Sequence, residues 1–98
     1  MVTCKVVVEE PLGLHLRPAG MFCEICLRYE SEIQIRKGHH TANAKSVLGV
    51  LAARVQQGDE IEIICEGTDE KEALNALVAA VQGGFGVESV EMEHDREV

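Results

Sequence analysis

Positive charge is scarce in this chain. Nine lysines and arginines face seventeen aspartates and glutamates over 98 residues, a formal net charge of −8. Without a concentrated basic surface, neither nucleic acid nor an anionic lipid headgroup is an expected partner. Long apolar runs are missing too: no stretch approaches the ~18 residues that a membrane helix needs. The opening MVTCKVVVEE lacks the basic start and apolar run of a secretory signal. Internal repeats and low-complexity linkers are also absent. These absences describe one cytoplasmic domain, long enough for a modest core and too short for a cleft between domains, so its partners should be proteins or small molecules met at a small surface site.

Cys4, Cys23, Cys26 and Cys65 are expected to be free thiols in such a compartment. Cys23 and Cys26 fall on or near the inward stripe of a helix. Cys4 and Cys65 fall on the inward parity of strands, so all four read as small core residues rather than a metal or redox site. His39-His40 reads as part of a polar turn, and no metal or other cofactor is expected.

Periodicity supplies the elements. Cys4, Val6 and Val8 alternate with polar neighbours, a strand ended by Pro11 and Gly13. From Leu16 to Tyr29, Ala19, Phe22, Cys23, Cys26 and Leu27 recur at helical spacing, with Pro18 tolerated in the first turn. Ile33 and Ile35 start a hairpin that returns over Thr41 to Ala44. Ser46 is a good N-cap for a short helix over Val47 to Ala53, despite the weakening Gly49. Ile61, Ile63 and Cys65 alternate in a last strand. Asp69 with Glu72 has the spacing of a capping box before a third helix striped by Ala73, Leu74, Leu77, Ala80 and Val81, which Gly83-Gly84 ends. The acidic tail shows only a weak alternation at Val87, Val90 and Met92. The order β-α-β-β-α-β-α gives four strands with one buried face each and three amphipathic helices, an α+β two-layer open-faced sandwich with an antiparallel sheet and all helices on one side.

One histidine occupies the junction between the first strand and the first helix, in Gly13-Leu14-His15-Leu16-Arg17-Pro18-Ala19-Gly20. Backbone N–H groups at a helix start lack partners, and the helix dipole favours negative charge there. An imidazole that holds or receives phosphate is well placed at that position. An N-cap histidine alone is an ordinary surface feature, so the rest of the chain has to decide.

Two separated segments do so. GLHLRPAG resembles the phosphorylation-site motif of the histidine-containing phosphocarrier (HPr) family of the bacterial phosphoenolpyruvate-dependent sugar phosphotransferase system. Asn43 to Ala53, NAKSVLGVLAA, resembles its regulatory-serine segment, and Glu66 to Val81 its last helix. The resemblance runs from Cys4 to Phe85 and implies a domain over residues 1–86, with 87–98 as an acidic tail outside it. It implies a strand order 1-4-2-3, and a monomer without its own catalytic turnover. It also implies a cycle in which Enzyme I phosphorylates His15 on its δ nitrogen and a sugar-specific IIA domain removes the phosphoryl group, with Arg17 as the phosphate-binding cation. Ser46 is implied as a site for a regulatory serine kinase/phosphorylase. Leu16, Gly20, Val47, Leu48 and Leu51 are the expected docking residues, since two short helical starts hold more apolar positions than one buried face requires.

The chain departs from the family pattern at Leu16 and Gly20, where the family usually has a smaller residue and an alanine. Cys23, Glu24 and Leu27 stand in a helix that carries lysines in the form from enteric bacteria, so steering by a basic patch should be weak. Two other readings stay open: a regulatory paralogue that docks on regulators, and a binding module that uses the cysteines.

Overall fold

The computed structural model describes residues 1–84. The elements are β1 (Val2–Val7), α1 (Leu16–Cys26), β2 (Glu32–Lys37), β3 (His40–Asn43), α2 (Val47–Ala52), β4 (Glu60–Glu66) and α3 (Glu70–Gln82). The four strands form one antiparallel sheet in the order β1-β4-β2-β3. All three helices cover one face, α3 on β1 and β4, α1 between the other two helices, and α2 toward β3. The expected two-layer α+β sandwich and its 1-4-2-3 order are therefore present.

Register explains why the face closes. Val6 pairs with Ile61, Ile63 with Ile35, and Cys65 with Ile33, so these six inward residues of three strands lie side by side and all are buried, while Val2 and Cys4 of β1 are half-buried. Side chains of period two force their neighbours outward, where Lys5, Glu62 and Arg36 follow one another across the sheet. Phe22, Leu77 and Val50 meet the inward face from α1, α3 and α2. Burying such a side chain contributes about 1.5–3 kcal/mol each.

Several boundaries differ from the periodic reading. Helix α1 stops at Cys26, three residues before Tyr29. Its last turn tightens, with Arg28 N bonded to Ile25 O and Tyr29 N to Cys26 O. Outside groups then take over the chain: Lys45 Nζ donates to Tyr29 O at 2.7 Å, and the Asp69 carboxylate accepts from Glu30 N at 2.8 Å and Ser31 N at 2.9 Å. The hairpin turn is only Gly38-His39 rather than the expected Lys37 to His40, two residues shorter, with His40 in β3 opposite Lys37. Cys4 is only half-buried.

The expected Asp69–Glu72 capping box is not formed. Asp69 is the N-cap residue of α3, but its side chain makes no cap hydrogen bond, because both carboxylate oxygens are engaged by Glu30, Ser31 N and the Ser31 hydroxyl. Glu70, the first residue of α3, reaches back to the preceding loop instead, accepting from Gly67 N at 3.1 Å. The tail readings at Val87, Val90 and Met92 and the domain limit at 86 lie outside the described residues.

Candidate functional site

His15 is the N-cap of α1, with extended backbone (φ −79°, ψ −171°) and a side chain that makes no cap hydrogen bond. Its carbonyl accepts the first helical bond, from Ala19 N at 2.9 Å. Helical geometry leaves the amides of Leu16 and Arg17 without intrahelical acceptors, and Pro18 brings none. The half-buried imidazole thus stands at the positive end of an eleven-residue helix. No acidic side chain occupies that first turn. Arg17 is exposed, and its guanidinium has no ion pair among the described residues.

The floor beneath the histidine is rigid backbone. Gly13 adopts φ +70°, a left-handed conformation that glycine takes without penalty. A Cβ there would stand 2.2 Å from Val55 O, so only glycine lets the two chains approach. Leu14 N donates to Val55 O at 2.9 Å and its side chain is buried. Pro18, Ala19 and Phe22, all buried, anchor the start of α1 from below. The helix therefore cannot shift without opening the core.

Helix α1 packs against α2, and the two carry the side chains expected to serve docking. Leu16 is 67% and Leu48 79% exposed, whereas Val47 and Leu51 are half-buried and pack against the core. Among the described residues the space over Gly20 is open, since a Cβ there would meet none of their atoms within 4 Å. Ser46 is the half-buried N-cap of α2, and its Oγ accepts from Gly49 N at 3.1 Å. Gly49 has a steric reason to be there, because a Cβ would crowd Asn43 O at 3.1 Å and Ser46 Cβ at 3.4 Å.

The cysteines lie away from this surface. Cys23, Cys26 and Cys65 are buried free thiols. Burial pushes Cys26 up to about 12, with Cys23 and Cys65 adding to the shift, and pushes Cys65 up to about 11. Cys23 is raised by burial as well. Such thiols are poor nucleophiles and metal ligands, because the thiolate is the reactive form. Among the described residues no group of three or more metal-ligating side chains converges, and no helix is long and apolar enough to cross a membrane. Sequence reasoning missed the 54–59 loop under His15, whose place depends on pairing between segments some forty residues apart that no local periodicity signals.

The chain is similar to known proteins over this whole architecture. A family model described as the PTS HPr component phosphorylation site matches residues 2–83. The phosphocarrier protein HPr of Mycoplasma pneumoniae is 36% identical over 83 residues, covering 84% of this chain and 94% of that protein. An HPr crystal structure from Thermoanaerobacter tengcongensis superposes with a TM-score of 0.85 at 35% identity, covering 88% of this chain and 97% of that one. Crh of Bacillus subtilis, solved as a domain-swapped dimer, superposes at 0.70 with 40% identity, covering 85% and 95%. With the matched model spanning nearly every described residue, the chain belongs to the HPr family of phosphocarrier proteins.

Proposed function

We propose that this phosphocarrier accepts a phosphoryl group from phospho-Enzyme I on His15 and passes it to a sugar-specific IIA domain in the cytoplasm. The observation that carries the reading is the imidazole at the start of α1, uncommitted to capping and flanked by free helix amides and by Arg17, which has no ion pair among the described residues. In the first step the δ nitrogen lone pair attacks phosphorus while the bond to the donor breaks; in the second the roles reverse, and no electrons leave the system. Charge-assisted bonds from Arg17 and the helix amides hold the phosphoryl oxygens between steps. No cofactor takes part. The protein is a co-substrate of two enzymes rather than an enzyme, with residues 1–86 as the working domain and 87–98 as an appended tail.

Leu16, Gly20, Val47, Leu48 and Leu51 form the docking surface used in turn by Enzyme I and IIA. The exposure of Leu16, next to His15 in the chain, and of Leu48 on the helix packed against α1 supports this, because an apolar patch beside a transfer site lets each protein exclude water there. The monomer is the state in which this surface is served, although the swapped Crh dimer shows that a relative can associate. Ser46 is the proposed site of a serine kinase/phosphorylase: phosphate would arrive on a hydroxyl beside Val47 and Leu48, in a patch that must lose water to dock.

Incubation with phosphoenolpyruvate and Enzyme I should place one acid-labile, base-stable phosphoryl group on each chain, and His15→Ala should abolish it. Unchanged stoichiometry in that variant would end the proposal. The similarity to Crh supports a second reading as a regulatory paralogue. It would be favoured by Ser46 phosphorylation in a protein whose His15 accepts nothing.

A further inference from the structure

The loop beneath His15 runs antiparallel to the segment that carries the histidine. Val8 N donates to Asp59 O at 2.9 Å, and Gly58 N returns to Val8 O at 2.8 Å. Gln57 Nε2 reaches Glu9 O at 3.4 Å. Gly13 lies against Gln56, where an added Cβ would be 2.7 Å from its Cα, and Leu14 N donates to Val55 O. As one residue number rises the other falls, and the next pair in the series is His15 with Arg54.

Arg54 is unusual in other respects. Among the described residues it is the only non-glycine with positive φ, 54°. A left-handed conformation is costly for an L side chain and persists where surrounding bonds over-determine it. They do so here. Arg54 N donates to Leu51 O at 3.1 Å, its carbonyl accepts from Lys37 Nζ at 2.6 Å, and Lys37 is itself paired with Asp59 at 3.0 Å. The Asp59 carboxylate also accepts from Gln56 N at 2.8 Å, closing the loop on itself. Fixed backbone thus carries an exposed guanidinium that makes no ion pair among the described residues, in a chain with nearly twice as many acids as bases.

We propose that Arg54 is a second phosphate-binding cation of the His15 site, holding the phosphoryl group on the imidazole together with Arg17. The inference rests on the phosphocarrier reading of His15 and adds to it a group from outside the GLHLRPAG segment. Two planar guanidinium forks, one from the first turn of α1 and one from the end of α2, approach the same phosphoryl oxygens from different elements.

The test avoids any partner protein. Phosphoramidate phosphorylates an accessible imidazole directly: the ring nitrogen attacks phosphorus, the phosphorus–nitrogen bond of the reagent breaks, and ammonia leaves. Phosphorus-31 NMR of the purified phosphoprotein then reads the pH at which the ring of the phosphohistidine takes up its proton. The phosphate's negative charge favours the protonated ring and a cation beside the phosphate offsets that charge, so Arg54→Gly should raise this midpoint by roughly half a pH unit, and Arg54→Lys should restore most of the difference. Glycine relieves the left-handed strain, so the melting temperature of Arg54→Gly should not fall. An unchanged midpoint in Arg54→Gly, or an Arg54→Lys variant that behaves like Arg54→Gly, would overturn the assignment while leaving the phosphocarrier reading intact. A parent protein that takes no phosphoryl group on His15 would overturn both.

Discussion

Gly13 lies two residues before the histidine and Gly20 five residues after it, and an added methyl group should act in opposite directions at the two. At Gly13 the backbone sits at φ +70°, and a Cβ would meet Val55 O at 2.2 Å and Gln56 Cα at 2.7 Å. An L side chain in the left-handed region costs about 1–2 kcal/mol. The overlap with backbone cannot be relieved by turning a side chain, so the loops must separate and the Leu14–Val55 hydrogen bond, worth about 1 kcal/mol, is lost or stretched. Gly13→Ala should therefore destabilise the domain by about 2–3 kcal/mol and lower its melting temperature by roughly 10–20 °C. At Gly20 the space is open and the residue lies inside α1, where alanine gains about 0.5–1 kcal/mol over glycine.

The functional consequence is separable from the structural one. A domain of this size holds about 5–10 kcal/mol, so Gly13→Ala remains almost wholly folded at 25 °C. Its His15 would be carried on a displaced loop, and a misplacement of about 1 Å costs on the order of 10²-fold in transfer rate. Urea denaturation and the initial rate of phosphorylation by Enzyme I measure the two effects on one sample. A Gly13→Ala protein with the parent's stability would refute the close-approach argument. Lowered stability with an unchanged rate would show that His15 does not depend on the Val55 floor.

Acid should unfold the domain through a small set of carboxylates. Asp69 is held below the ordinary range first by the Ser31 hydroxyl, Glu62 by Arg36, Asp59 by the Gln56 amide and then Lys37, and Glu70 by the Gly67 amide. The unfolded chain therefore binds more protons than the folded one at low pH. Their stabilisation is complete above the unfolded values near 3.8 for Asp and 4.5 for Glu and is lost as pH falls through the lower folded values, so the urea midpoint should drop steeply below pH 4, less so in Asp69→Asn. The thiols of Cys23, Cys26 and Cys65 should resist a disulfide reagent at pH 8 until urea unfolds the chain; rapid native labelling of all four cysteines would contradict their burial. Leu48→Glu should raise the concentration that half-saturates Enzyme I about tenfold while shifting stability by no more than about 0.5 kcal/mol, and an unchanged half-saturation would remove Leu48 from the docking surface. Arg17→Ala should slow transfer at nearly parental stability, and a native transfer rate would exclude its cationic role.

Much of this architecture is legible in the sequence because its strands have only one buried face. Ile33, Ile35, Ile61, Ile63 and Cys65 announce both the strands and their inward parity, and Arg17-Pro18 marks the start of α1 through the fixed φ of proline. The end of α1 is not legible, since Lys45 and Asp69 impose it from elsewhere in the chain. Asp69 also shows why a spacing rule fails: the capping-box pattern is present, but a carboxylate has a limited number of oxygens, and Ser31 and Glu30 claim them first. Arg54 is invisible for a similar reason. Nothing local distinguishes it from Arg28, and only the antiparallel run of 8–14 against 55–59, which ends one residue short of both His15 and Arg54, singles it out.

A carrier has to bind its phosphoryl group well enough to keep it and loosely enough to surrender it, and exposure sets that balance here. At 4 Å, two unit charges attract by about 1 kcal/mol in water and about 4 kcal/mol at the effective dielectric of a partly shielded site. Arg17 and Arg54 are exposed and His15 is half-buried, so in their proposed roles each guanidinium would contribute near the lower figure, a few-fold in the equilibrium between free and phosphorylated imidazole. Two cations in a dry pocket would trap the group; two at a wet surface tune it. If Leu16 and Leu48 are covered by a docked protein as proposed, water would leave, the dielectric would fall, and the same two charges would act more strongly on the phosphoryl group in transit. The rigid floor of Gly13, Leu14 and Val55 means that this strengthening needs no rearrangement of the carrier, so the exchange can run in either direction with whichever protein is docked.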